Sequence, residues 1–176
     1  MNLYELLLTG AAILVILFSS VLLFGAPYLP TLRLQISMAL DLLGLEEGQT
    51  LLEIGSGDGR VLREAARRGI RGIGYEINPL LVIYSKCVTF KYRKLVKIYW
   101  RNFWKVPLPV VDGVYVFLLK PYMMRLQYKF EQEFEKPTKV ASFTFAFTGL
   151  KPIKRQGGIM LYQFGGSLRR GKNHLP

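Results

Sequence analysis

The stretch LLEIGSGDGR, residues 51–60, constrains this chain more than any other segment. A short apolar run breaks into three glycines at alternate positions, Gly55, Gly57 and Gly59, and an amphipathic run follows. Strand, glycine turn and helix in that order open a parallel β/α unit, in which the bare turn lets a ligand lie against backbone N–H groups. That feature narrows the fold to the α/β class before any other segment is read.

The rest of the chain keeps the same alternation. Apolar residues at helical spacing predict a helix over residues 33–43, stopped by Gly44 and Gly48. Strands are predicted at 50–54, 70–75, 96–100, 113–119 and 140–147, with helices at 58–68, 79–91 and 121–134 between them. A last strand over 159–164 follows a short link containing Lys151, Pro152, Gly157 and Gly158, too short for a crossover, so it is expected to run antiparallel. The expected fold is Rossmann-like: a mostly parallel sheet with helices on both faces and an antiparallel last strand.

The acids around the glycines select the ligand. A dinucleotide turn rests a pyrophosphate on the helix N-terminus. Here Glu53 precedes the first glycine and Asp58 follows the second, and two acids would repel a pyrophosphate. They suit a cation, namely the sulfonium and α-amino group of S-adenosylmethionine. In GIGYEINP, residues 72–79, Glu76 ends the second strand about 20 residues past the glycine turn, where an acid accepts both ribose hydroxyls. The alternative is that Glu76 merely caps the helix opened by Pro79.

The N-terminus adds a second constraint. Residues 6–32 carry no charge, and 6–24 are apolar apart from Thr9, Ser19 and Ser20. That is close to the roughly 20 residues a membrane-spanning helix needs. A cleaved signal peptide should begin with basic residues, whereas Glu5 is the one charged side chain before the run. A buried core helix would need a larger protein around it. The expected organisation is an anchor at 1–26, a Pro-containing linker at 27–32 (Pro27, Pro30), one α/β domain at 33–166 and a basic tail at 167–176. Basic residues begin at Arg33, after the span, which orients the domain to the cytoplasm or an equivalent compartment such as the mitochondrial matrix.

A net charge of +12 fits a surface beside anionic lipid or an acidic protein, and no nucleic-acid-binding motif accompanies it. Cys87 is the sole cysteine and His174 the sole histidine, which excludes an internal disulfide, a zinc cluster built from them and a His-based triad; no metal is expected.

With an acid, one residue and then G-x-G-x-G, followed by a ribose acid, the chain resembles the class I S-adenosylmethionine-dependent methyltransferases. Within that class it is similar to the membrane-anchored protein lysine methyltransferases, the adenine nucleotide translocase and ATP synthase c-subunit enzymes with their prokaryotic relatives. The matching features are the N-terminal span, PYLPT, LLEIGSGDGR, GYEINPLL, NFWK, PYMMRLQYKFEQEF and SFTFAF. The resemblance implies that Glu53, Gly55, Ser56, Gly57 and Gly59 hold the methionine moiety and Glu76 the ribose, with Asn78, Asn102 and Phe103 around the adenine. Asn102 stands where such enzymes usually carry Asp, so one negative charge is lost while an amide oxygen remains to accept a bond. A lysine substrate must arrive neutral, which an apolar aromatic pocket favours, and Tyr122 and Phe145 are the candidates for its wall. Two other readings stay open: a methyltransferase for lipids or small molecules, and a non-catalytic binding module that keeps the cofactor fold.

Overall fold

The computed structural model describes residues 2–24 and 32–166. Five helices and seven strands are found there: α1 (Leu3–Phe24), α2 (Arg33–Leu43), β1 (Thr50–Ile54), α3 (Arg60–Arg67), β2 (Arg71–Glu76), α4 (Pro79–Val88), β3 (Val96–Trp100), β4 (Gly113–Val116), α5 (Lys120–Glu133), β5 (Thr138–Phe143), β6 (Lys154–Gln156) and β7 (Ile159–Phe164). The strands form one sheet in the order β3-β2-β1-β4-β5-β7-β6. The first five are parallel, and β7 pairs antiparallel with both β5 and β6. This is the expected Rossmann-like arrangement, a mostly parallel sheet with an antiparallel last strand.

Strand alternation divides the core into two layers, because successive side chains leave opposite faces. Leu51, Tyr115, Ala141, Ile159 and Leu161 join α2, α3 and α4 on one face. Leu52, Ile54, Val114, Val116, Val140 and Tyr162 meet Met123, Leu126 and Phe130 of α5 on the other. On this second face Phe147 packs edge-on against Tyr162 at 4.9 Å and Phe164 at 5.0 Å, closing the layer with aromatic rings.

Four elements depart from the sequence reading, the first being the predicted strand 113–119, which ends at Val116. The predicted helix 79–91 stops at Val88, because Thr89 turns its hydroxyl back to the Ser85 carbonyl at 2.7 Å and a 3-10 turn at Phe90–Tyr92 follows. The predicted strand 140–147 ends at Phe143. Thr144 takes φ +72°, Phe145 N–H returns to the Phe143 carbonyl at 2.9 Å, and Ser142 Oγ donates to the Phe145 carbonyl at 2.7 Å. Residues 154–156, read as a link, are the edge strand β6.

The expected membrane span meets a different finding. Residues 3–24 are helical, but among the described residues no helix is long and apolar enough to cross a membrane. The side chains of residues 13, 14 and 16–24, most of the linker at 27–32, and the basic tail at 167–176 lie outside the described residues.

Candidate functional site

β1 is flanked by β2 on one side and β4 on the other, and the chain leaves it toward β2 and returns at β4. Ligands of open α/β sheets bind at this reversal, outside the carboxyl ends of the strands. Two carboxylates occupy that edge, Glu53 near the end of β1 and Glu76 at the end of β2.

Glu76 organises the loop. Its Oε2 accepts from Gly57 N–H at 2.8 Å, and its Oε1 accepts from Ile77 N–H at 2.9 Å and Asn78 N–H at 2.8 Å. The side chain is buried; Oε1 already accepts two bonds, and Oε2, which accepts one, keeps a lone pair for a further donor. It does not cap α4: that task falls to Asn78, whose Oδ1 accepts from Leu80 N–H at 2.9 Å and Leu81 N–H at 3.5 Å.

Glu53 is the unusual group. It pairs in register with Gly74 of β2 and Tyr115 of β4 and is 5% exposed, and its Oε2 has no hydrogen-bond partner. Burial holds its carboxyl well above the usual carboxylate range, Asp58 and Glu76 push it further up, and the Leu62 backbone N–H and Arg60 pull the other way. Ser56 Oγ, equally buried, also lacks a partner. Two orphaned polar atoms on one strand edge are costly unless something binds them, since a buried unsatisfied group costs about 1–3 kcal/mol. Asp58 is different: it accepts from Arg60 N–H and Nε–H and forms an ion pair with that guanidinium at 2.7 Å, so its charge is balanced within the loop.

The glycines divide their tasks. A Cβ on Gly55 (φ +75°) would meet nothing within 4 Å, so the space over this residue is open. Gly59 faces protein instead: a Cβ there would lie 3.0 Å from Ser85 Cβ and 3.3 Å from Thr89 Cγ2, so it sets the close approach of α3 to α4. Gly74 is a residue that reading for motifs missed. Its Cβ would come within 2.7 Å of Leu62 Cδ1 and 2.8 Å of Ser56 Oγ, so a bare position in β2 makes room for Ser56 beside Glu53. The signal was there, in two glycines at alternate positions, Gly72 and Gly74, on one face of a strand.

Farther along the edge, Asn102 caps the 3-10 turn Phe103–Lys105 through an acceptor bond from Trp104 N–H at 3.0 Å. Phe103 and Trp104 stack at 4.3 Å, and Trp104 lies 6.4 Å from Tyr122 and under the Arg125 guanidinium at 4.3 Å. Phe117 and Phe143, at the ends of β4 and β5, meet at 4.9 Å on the opposite face from Tyr122 and Phe145. Tyr122 and Phe145 are both half-buried at the margin of the second core layer. The structure thus gathers Glu53, Gly55, Ser56, Gly57 and Glu76 at one strand edge, and gives Gly59, Asn78 and Asn102 structural tasks as well.

An adenosyl donor fits this edge on its chemistry. The buried orphan carboxylate oxygen suits a cation, and the open backbone at Gly55 leaves it room.

Known proteins are similar to this chain over most of its length. The family described as the ANTKMT methyltransferase domain matches residues 53–154, from the acid of β1 to the first residue of β6. An ATP synthase c-subunit lysine N-methyltransferase of Homo sapiens is 31% identical over 154 residues, covering 85% of this chain and 66% of that protein. The chain therefore spans just under two thirds of that relative's length. A protein-lysine N-methyltransferase of Saccharolobus islandicus (strain REY15A) is 30% identical, covering 76% of this chain and 88% of that protein. Among solved structures, an RNA methyltransferase from Salinibacter ruber in complex with S-adenosyl-L-homocysteine superimposes with a TM-score of 0.71 at 26% identity, covering 77% of this chain and 92% of that one.

Proposed function

This chain belongs to the ANTKMT methyltransferase domain family, and we propose that it transfers a methyl group from S-adenosylmethionine to a lysine of a membrane-associated protein. The observation that carries the reading is the pair of buried carboxylates on adjacent strand tips, one bound to the glycine loop and one left without a partner. S-adenosylmethionine supplies a methyl group already activated by its sulfonium. Glu53 and Ser56 would hold the methionine end, Glu76 the ribose, and Asn78, Asn102 and Phe103 the adenine side.

Such a reaction asks the protein for alignment and exclusion of water rather than for a covalent intermediate. The incoming amine must present its lone pair. An apolar wall at Tyr122 and Phe145 would disfavour the ammonium form, while aromatic faces would stabilise the methylated cation that results. The amine nitrogen forms the new bond to the methyl carbon, the carbon–sulfur bond breaks, and its electron pair stays on sulfur.

A lysine substrate is favoured by the relatives named as lysine methyltransferases, at about 30% identity across most of this chain. The membrane location rests on the uncharged run at 6–32, which is longer than the roughly 20 residues a span requires. With Arg33 the first basic residue after that run, the domain at 33–166 would lie on the cytoplasmic or matrix side. An anchor raises the effective concentration of a substrate in the same bilayer.

Incubation of membranes with radiolabelled donor tests the proposal. Label that migrates with a protein and appears as methyl-lysine after hydrolysis is the expected result. Label that extracts into organic solvent would replace the protein substrate with a lipid, and absence of transfer together with absence of donor binding would remove the enzyme reading.

A further inference from the structure

We propose that the outward face of α4, with the 3-10 turn after it, docks on a bilayer surface that carries anionic phospholipid. This contact is separate from the apolar N-terminal segment, although it rests on the same membrane location. α4 packs inward through Val82 and Ser85. Its opposite face presents Ile83 (62% exposed), Tyr84 (55%) and Cys87, and Phe90 (63%) continues it at helical spacing. Ile83, Tyr84 and Cys87 together on a 10-residue helix are an apolar patch rather than scattered surface residues, and Phe90 extends it, with the Arg93 guanidinium 4.7 Å from its ring.

Charge says what covers the patch. From Ile77 to Val111 there is no acid, while Lys86, Lys91, Arg93 and Lys94 supply four cations on α4 and the segment directly after it. On the other flank of Tyr84 a cleft of about 400 Å³ is lined by Arg33, Arg60, Arg63 and Arg67 against Asp58 and Glu64. An apolar centre inside a cationic rim matches the boundary between acyl chains and anionic headgroups. Trp100, 66% exposed, donates its indole N–H to the Ile77 carbonyl at 2.9 Å, so its polar edge is satisfied and its ring body is free for the interface. Aliphatic Ile83 at the centre favours lipid over nucleic acid, whose bases stack on aromatic planes. The tether fits too: the residues between Phe24 and Arg33 reach at most about 30 Å, so a membrane-held α1 keeps the domain at the surface.

Cys87 lies on the docking face and is the sole cysteine, so it reports directly. The full chain is reconstituted in nanodiscs of phosphatidylcholine alone or mixed with phosphatidylglycerol, and its modification by a neutral polyethylene-glycol maleimide is timed. We expect modification to be about five-fold or more slower on the anionic discs, and K91E/R93E/K94E to restore the faster rate. Calorimetric binding of S-adenosylmethionine by the triple variant shows that it is folded. Equal rates on the two discs overturn the proposal, as does slowing that survives the charge reversal in a folded variant. Equal protection on neutral discs by inorganic phosphate or single-stranded RNA also overturns it, in favour of a free anion or a nucleic acid. Failure of the chain to stay with neutral discs would count against the anchor alone; the chain is then added to both discs from solution and the same comparison decides the docking face.

Discussion

Gly57 and Glu76 are 19 residues apart in sequence and joined at 2.8 Å, backbone N–H to Oε2, so the ligand loop after β1 hangs on the carboxylate that ends β2. The ribose acid and the shape of the glycine turn are therefore one feature. Whatever removes Glu76 also frees Gly57, Ile77 and Asn78 N–H groups.

Glu76→Ala should abolish measurable donor binding and destabilise the protein by about 2–3 kcal/mol, because three backbone donors lose a charged acceptor. Glu76→Gln keeps an acceptor oxygen and should restore most of the stability while binding stays weak. Thermal melts beside titration calorimetry separate the two effects; a Gln variant that binds as well as the native protein would refute the need for a carboxylate.

Glu53 gives the pH dependence a sign. Its carboxyl is raised by burial in the folded state, so folding favours the protonated form. Its contribution is fully present below the usual carboxylate range and is lost as pH rises toward the raised native value. Glu53→Gln should remove that loss and stabilise the ligand-free protein near neutrality. Donor binding to native protein within that pH window should release protons, seen as a buffer-dependent calorimetric enthalpy, and Glu53→Gln should show none.

Two glycine substitutions should separate packing from ligand space. Gly74→Ala drives a methyl into Leu62 and Ser56, and overpacking of this kind costs about 1–3 kcal/mol. Gly55→Ala meets no atom, so its stability loss should stay near the roughly 1–2 kcal/mol of a left-handed backbone, whereas donor affinity should fall at least about ten-fold as the methyl enters the ligand's space. Chemical denaturation and calorimetry on both variants check the contrast.

Thr144 is the one non-glycine residue with positive φ among the described residues. Thr144→Gly should raise stability by about 1 kcal/mol through relief of that backbone, provided the Ser142 Oγ bond to the Phe145 carbonyl persists. Phe145→Ala should raise KM for the methyl acceptor and leave the donor affinity unchanged, as measured by initial rates over both substrates.

The glycine unit was readable because its constraint is local: β1, the turn and α3 each declare themselves in residues 51–67. The parallel order followed from alternation. The end of β5 was not readable, since SFTFAF alternates as a strand should and Thr favours strands. What breaks it is a side-chain bond from Ser142 to a carbonyl three residues on, together with one left-handed backbone. β6 escaped because Lys154, Arg155 and Gln156 are all exposed on the sheet edge and carry no apolar period. At Asn78 the Asn-Pro pair was a cap signature as well as a ligand-side candidate, and the hydrogen bonds display the cap.

Gly59 has a reach beyond its own turn. Its bare Cα lies against Ser85 and Thr89, so the donor loop and α4 cannot shift independently. The helix that would rest on lipid is thus geared to the loop that would grip the donor, and by reciprocity any tightening that lipid contact confers on donor affinity must return as tighter adhesion when the donor is bound. Such gearing would make the enzyme most avid for its donor where its substrates reside.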